Sequence, residues 1–241
     1  MKKLLIVIPA YNEAKIIKAN LEKLADYAQA NLQAYDYKIV VSDNNSTDLT
    51  GRIVKDLLPS INHLEYLFVP QKGKGVAVLT AWQKYQNDYD FFAFMDADLA
   101  TDLRAFLPLV TALEQGYDLA IGSRYLKESE VRRSLFRKIM SYAYRLFIKI
   151  FLNTEINDFP TGFKAVSQKV VKQIIPLVKN TTWFFDSEII YQSEKRGLKI
   201  KEIPVKWVEP RGKGDKSRVN PLKVSLLYLK EIIKLRFFKG R

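Results

Sequence analysis

Phe91-Phe-Ala-Phe-Met-Asp-Ala-Asp98 decides how this chain of 241 residues is read. Five consecutive apolar residues without polar alternation describe a strand buried on both faces, as in a parallel sheet covered by helices. Two carboxylates one residue apart follow at its C-terminal end. Placing like charges side by side in a buried setting is costly unless a cation or polar ligand compensates them. A divalent metal bound to a diphosphate supplies that compensation, and a solvated turn whose Asp residues cap the next helix is the other reading of the pair alone.

Outward from this strand, the first half alternates short β-branched or aromatic runs with segments of helical period. The strands expected are Leu4–Ile8, Lys38–Ser42, Glu65–Val69, Phe91–Met95 and Leu119–Ser123. Helices are expected near Glu13–Ala30, Thr47–Leu58, Gly75–Gln86 and Leu103–Gln115. Such alternation implies an α/β fold with a mainly parallel central sheet flanked by helices. In such sheets ligands bind outside the C-terminal strand ends. Four polar clusters fall there: Pro9-Ala-Tyr-Asn-Glu13, Asp43-Asn-Asn-Ser-Thr-Asp48, Gln71-Lys-Gly-Lys-Gly75 and Asp96-Ala-Asp98. The Gly-rich cluster opens a helix, so its free N–H groups and the Lys74 ammonium are expected to face an anion.

The second half has a different texture. A basic amphipathic segment, Val131–Leu152, precedes a turn-rich stretch, Asn157–Gly162. Helical segments follow around Ser167–Val178 and Asp186–Lys195, then a strand-like run, Leu198–Val208. The C-terminal helix, Pro221–Phe238, places Leu222, Leu226, Leu229, Ile233 and Phe237 on one face. Glu209–Asn220 reads as a mobile loop within a single domain spanning residues 1–241, divided at 123/124 into two halves. His63 is expected on the surface or in a loop.

With 48% hydrophobic residues the chain can bury a full core. It has no cysteine and one histidine, which excludes disulfides, thiolate catalysis and sulfur-built zinc sites. Catalysis must come from carboxylates, Arg, Lys and hydroxyls. The formal net charge is +13, with +6 in residues 123–149 and +8 in residues 211–241. These patches suit nucleic acid, an anionic lipid surface or a phosphorylated ligand. The N-terminal apolar run stops at Pro9, too short for a signal sequence, and no stretch suffices to span a bilayer.

Ile8-Pro-Ala-Tyr-Asn-Glu13, Asp43–Asp48, Lys72–Gly75, Asp96–Asp98 and Gly122-Ser-Arg-Tyr125, in this order, resemble the signature of family 2 glycosyltransferases with the GT-A fold. Asp158-x-x-Thr-Gly-Phe-Lys164 and Trp183-Phe-Phe-Asp-Ser-Glu188 are similar to the branch that makes polyprenyl-phosphate sugars. That branch includes the dolichyl-phosphate β-glucosyltransferases and the polyprenyl-phosphate mannosyltransferases. The resemblance implies that Pro9, Tyr11 and Glu13 line the base and ribose pocket, that Asp43 meets the base edge, and that Lys74 lies near the nucleotide. It gives Asp96 and Asp98 to a Mg²⁺ or Mn²⁺ ion, and Arg211, Lys216 and Ser217 to a loop over the diphosphate. The acceptor would be a polyprenyl or dolichyl phosphate, met by Arg124, Arg137 and Ser141. Asp98, Arg124 and Arg137 would carry the catalysis.

Asp158 and Glu188 are expected to shape the acceptor pocket, with capping of turns or helices as the equal alternative. For Trp183, Phe184 and Phe185 core packing competes with an apolar floor for sugar or lipid. UDP-glucose is the expected donor, with GDP-mannose as donor or a saccharide hydroxyl as acceptor the alternatives. No nucleic-acid partner is expected, since a recognised motif is missing and acids occupy the strand ends. A homo-oligomer stays open. The two basic segments imply peripheral attachment to the cytoplasmic face of a membrane.

Overall fold

β1 (Lys2–Ala10) turns Leu4, Ile6 and Ile8 toward one layer of helices and Leu5 and Val7 toward the other. An alternating strand whose two faces are both buried has no polar face to display, which is why it reads as one apolar run. In the computed structural model the described residues are 1–132, 135–208 and 221–237, without the side chains of 132–140, 143 and 221–226.

After β1 come α1 (Ile17–Asn31), β2 (Tyr35–Asp43), α2 (Thr50–Leu57), β3 (Leu64–Phe68), α3 (Lys74–Lys84), β4 (Phe91–Met95), α4 (Phe106–Glu114) and β5 (Leu119–Ser123). The second half adds β6 (Glu130–Arg132), α5 (Leu135–Leu152), β7 (Phe163–Ser167), α6 (Gln168–Gln173), α7 (Phe185–Lys195), β8 (Ile200–Pro204), β9 (Lys206–Val208) and α8 (Pro221–Phe237). One sheet runs β3-β2-β1-β4-β7-β5-β8, and β6 pairs with β9 in a second. Every neighbouring pair is parallel except those of β7, which lies antiparallel between β4 and β5. The sheet is therefore mainly parallel, as expected, with one reversed strand.

That strand was not expected. The segment assigned to helix from Ser167 is preceded by β7 and contains only the short α6 before a 3-10 turn at Ile175–Leu177. Because β7 runs backwards, its start lies beside the C-terminal ends of β4 and β5, with Met95 opposite Phe163 and Ile121 opposite Lys164. The Asn157–Gly162 turn is thereby delivered to the sheet edge that carries the polar clusters.

α1, α2 and α4 cover one face through Leu21, Leu24, Val54, Phe106 and Leu109. α3, α5, α6, α7 and α8 cover the other through Trp82, Ile148, Val170, Ile189 and Ile232. Each such side chain, fully buried, contributes about 1.5–3 kcal/mol of transfer free energy. The strand-like run from Leu198 breaks at Val205: β8 stays in the main sheet, while β9 leaves it to pair with β6. β9 also clamps the chain beyond the acidic pair, through Asp102 N–H to Lys206 O and Val208 N–H to Ala100 O.

α8 faces inward differently from its expected apolar stripe. Tyr228 and Ile232 are buried, while Ile233 and Phe237 are exposed. The Tyr228 ring fits between Tyr144 of α5 and Phe184, and this contact sets the helix rotation. The Leu222 and Leu226 side chains and the Glu209–Asn220 loop lie outside the described residues. His63 is exposed, against Tyr37.

Candidate active site

Parallel register brings the four clusters to one edge. Ala10 pairs with Asp43, Asp43 with Phe68 and Val7 with Phe94, so the turns after β1 to β4 emerge side by side. Between them opens a cleft of about 420 Å³ lined by Pro9, Tyr11, Glu13, Lys74, Asp96 and Asp98, together with Asn44 and Trp183. Its size is within the range of small-molecule sites, roughly 300–1,000 Å³.

The cleft wall is held by side chains that satisfy loop backbone. Asn12, in the left-handed region at φ 55°, accepts the Thr47 N–H at 2.7 Å on Oδ1, and its own N–H donates to Ser46 Oγ. Glu13 N–H donates to Thr50 Oγ1 and Ala14 N–H to Asp48. These bonds stitch the β1 and β2 loops together through residues 12–14, and α1 begins only at Ile17, after a turn in which the Ile16 N–H donates to Glu13 O. Asn44 reaches across to the third loop, donating to Gln71 O and accepting the Gly73 N–H at 2.6 Å.

Asp43, expected at the base edge, stands one layer behind this wall. It is almost fully buried, with Tyr66 Oη donating to one oxygen at 2.7 Å and Ser46 N–H to the other at 3.0 Å. The start of α3 also departs from expectation. Gly75 N–H donates to Thr182 O and Val76 N–H to Thr181 O, so backbone carbonyls already occupy the amides expected to meet an anion. The approach is so close that a Cβ on Gly73 would lie 2.4 Å from Thr181 O, and one on Gly75 2.7 Å from Thr181 C.

Lys74 instead turns its ammonium to Asp96, 2.6 Å away, beneath the rings of Phe94 and Trp183 at 5.4 and 5.3 Å. Burial alone would lower this lysine, but Asp96, Asp186 and Asp98 outweigh it and hold it above the ordinary lysine value. Beyond Asp96 the chain makes a tight turn: Leu99 N–H donates to Asp96 O, Ala100 N–H to Asp98 Oδ1, and Leu99 takes φ 47°. Both carboxylates thus wall the cleft and also a second cavity of about 110 Å³, which is lined by Arg124, Thr161, Gly162 and Trp207.

Arg124 is gripped by Asp158, whose oxygens accept from Nε and Nη2 at 2.7 Å each and from the Arg124 N–H at 2.9 Å. Pro160 O accepts a further Nη2 bond. Burial pushes the Asp158 carboxyl up, and Arg124 more than reverses that, leaving it below the usual range. Asp158 is therefore an orienting partner of Arg124, which lines the second cavity. Glu188 is not at either cavity: Oε2 accepts the Lys179 and Asn180 N–H groups, the capping alternative, and burial raises its carboxyl. Ser141 lies on α5 with Arg137, whose side chain is outside the described residues, as are Arg211, Lys216 and Ser217.

Three contributors escaped the sequence reading: Asn44, within a cluster already singled out, Lys164 and Asp186. Trp183, expected as core or as a pocket floor, is 47% exposed on the cleft wall while Phe184 and Phe185 are core. Lys164 and Asp186 are both buried, 3.7 Å apart, beneath the acidic pair. Burial, with help from Lys74 and Arg124, brings the Lys164 ammonium down to about 8, and burial raises Asp186. Their only signal was membership of the two later motifs.

No group of three or more His, Cys, Asp or Glu side chains suited to a metal occurs among the described residues. Two carboxylates at a cleft do fit a hard cation of the Mg²⁺ or Mn²⁺ type, which completes its shell with phosphate oxygens and water instead of a protein cage. The half-exposed Asp96 side chain and its bond to Lys74 match a group arranged for a ligand containing both charges.

Residues 5–175 match the model of Glycosyl transferase family 2. Glycosyltransferase AglD of Haloferax volcanii is 30% identical over 209 residues, 86% of this chain and 33% of that protein, so this chain spans a third of its length. Dolichyl-phosphate beta-glucosyltransferase of Dictyostelium discoideum is 29% identical over 246 residues, 96% of this chain and 73% of that protein. Among solved structures, glucosyl-3-phosphoglycerate synthase from Mycobacterium tuberculosis, in complex with Mn²⁺, UDP and glucosyl-3-phosphoglycerate, is similar in fold at TM-score 0.67. It is 18% identical, over 100% of this chain and 81% of that one. With the family's model matching most of its length and the acidic pair at the mouth of a GT-A-like sheet, the chain belongs to glycosyl transferase family 2.

Proposed function

We propose that the chain moves a hexose, glucose from UDP-glucose, onto a polyprenyl or dolichyl phosphate with inversion at the anomeric carbon. The supporting observation is that Asp96 and Asp98 wall two cavities at once, the larger carrying Lys74 and the smaller Arg124. A nucleotide sugar in the larger then meets an anionic acceptor across the acidic pair. Pro9, Tyr11 and Glu13 take the base and ribose, and Asp43 shapes that end from behind by fixing Tyr66 and the Ser46 amide. Arg211, Lys216 and Ser217 are assigned to the diphosphate.

Asp96 and Asp98 would hold Mg²⁺ or Mn²⁺, which when bound stabilises the negative charge growing on the departing nucleoside diphosphate. Lys74, bonded to Asp96, adds a fixed positive charge on the same side. A lipid phosphate is already anionic near neutral pH, so its oxygen forms the new bond to the anomeric carbon without losing a proton as the sugar–diphosphate bond breaks. What it requires is alignment, given to Arg124, Arg137 and Ser141. A hydroxyl acceptor would instead need a base, and Asp158, locked into Arg124, is unsuited to that task.

The lipid acceptor places the enzyme at a membrane surface. No helix among the described residues is long and apolar enough to cross a bilayer. α5 supplies the contact in this reading, with exposed Tyr142, Leu146 and Ile150 beside Arg145 and Lys149, at the cytoplasmic face. The test is sugar transfer by the purified chain to a short polyprenyl phosphate, with UDP-glucose and GDP-mannose in parallel and with Mn²⁺, Mg²⁺ or a chelator. Cation-dependent product, lost in Asp98→Ala, is expected. Product formed equally with the chelator, or on a saccharide hydroxyl alone, would sink the proposal.

A further inference from the structure

Lys164 lies in the middle of the sheet with no exposed surface, and no step of sugar transfer calls for it. A buried ammonium persists only where several partners compensate it. Its Nζ donates to Phe159 O at 3.1 Å and to Thr161 O, and stands 3.7 Å from Asp186. Those two carbonyls belong to the Asn157–Gly162 turn, and drawing them onto one ammonium folds the turn over it.

Each end of that turn supports one side of the reaction site. Asp158 and Pro160 hold the Arg124 guanidinium. At the other end, Gly162 O accepts the Asp96 N–H at 3.1 Å, and Gly162 packs so tightly under the Asp96 carboxylate that a Cβ would meet it at 2.1 Å. Asp186, from the first turn of α7, faces Lys164 directly and also acts electrostatically on Lys74, the partner of Asp96. Charges therefore alternate beneath both cavities: Asp96, Lys74, Asp186, Lys164, then the turn that carries Asp158 and Arg124.

We propose that Lys164 and Asp186 are a positioning pair that holds the donor-side Asp96 and the acceptor-side Arg124 in fixed register, a role that rests on the transfer reading above. The pair touches no substrate. Its loss should therefore loosen both sides together, and a defect in the fold alone would not produce that signature.

Lys164→Met and Asp186→Asn would be compared with the wild-type chain and with Phe92→Leu, a core variant on the same sheet. The readouts are Mn²⁺–UDP affinity by calorimetry, acceptor KM with a short polyprenyl phosphate, and thermal unfolding. The pair predicts a loss of about tenfold or more in Mn²⁺–UDP affinity and a parallel rise of similar size in acceptor KM, as for removal of groups that orient a metal ligand. Phe92→Leu should lower Tm and leave both constants in place. If Lys164→Met does not fold, the charge-matched Lys164→Met/Asp186→Asn variant is measured instead, with the same expectation. Unchanged constants in a folded variant, or an equal change in Phe92→Leu, would overturn the pair. A wild-type chain that moves no sugar, while Lys164→Met still loses Mn²⁺–UDP affinity, would retire the transfer reading and uphold the donor-side support.

Discussion

Gly162 has no side chain to spare because Asp96 fills the space beside it. Its substitution by alanine puts a methyl 2.1 Å from Asp96 Oδ2, and the carboxylate must leave Lys74. The displaced atom ends a half-exposed side chain, so the fold should lose only the low end of the roughly 1–3 kcal/mol that overpacking costs. Ligand binding should suffer more. Calorimetry on Gly162→Ala is expected to give Mn²⁺–UDP affinity reduced about 10- to 100-fold, with a Tm near that of wild type. A second residue-scale consequence concerns pH. Lys164 titrates near 8 in the folded chain and at 10.5 when ordinary, with Asp186, Lys74, Asp158 and Arg124 around it. Between these values the unfolded chain binds the extra proton, so stability from this group rises with pH. Urea unfolding between pH 8 and 10.5 should show that rise in the wild type relative to Lys164→Met; parallel profiles would remove it.

At the scale of elements, α3 and the chain before α7 are joined backbone to backbone at the cleft. Thr181 and Thr182 carbonyls cap the first free amides of α3, and Gly75 lets the backbones touch. A Cβ there meets backbone and the buried Phe185, which cannot swing away, so Gly75→Ala should cost the upper part of about 1–3 kcal/mol in denaturant unfolding, unlike Gly162→Ala. This junction also marks where the sequence stops being legible. The first five strands and the four helices between them are readable because each is a run of one period with turn residues at both ends. β6, three residues long, is too short to carry a period, and β9 reads as one run with β8 because only its partner strand shows the break at Val205. β7 is hidden because Phe163-Lys-Ala-Val-Ser167 puts a lysine in a buried strand, and only Asp186 of α7 with two carbonyls of the preceding turn makes that tolerable. For the site, the cleft wall at Pro9, Tyr11, Glu13, Lys74, Asp96 and Asp98 follows from strand ends meeting at one edge. The capping of α3, the retreat of Asp43 behind the wall and the displacement of Glu188 depend on loop contacts that no local pattern encodes.

For the whole molecule, the positive charge and the exposed apolar side chains have to be considered together. Tyr142, Leu146 and Ile150 recur every four residues along α5, so they form one stripe on the helix, with Arg145 and Lys149 beside it. Phe151 of α5 meets Phe237 of α8 at 6.4 Å, which brings the exposed end of α8 next to that stripe. Full burial of such aliphatic side chains is worth about 1.5–3 kcal/mol each, and each nearby Lys or Arg adds about 1 kcal/mol at an anionic surface. Together these terms favour the reversible attachment proposed above. The wild-type chain should therefore sediment with phosphatidylserine-containing vesicles, less so as salt rises and only weakly with neutral ones. Leu146→Glu/Ile150→Glu should reduce that binding at least about tenfold, since the loss of two apolar contacts exceeds 1.4 kcal/mol, and should leave Tm unchanged because neither side chain packs inward. Binding that ignored both salt and the double substitution would assign the stripe elsewhere. If the same variant instead split a dimer in analytical ultracentrifugation, the stripe would be a contact between two copies of the chain.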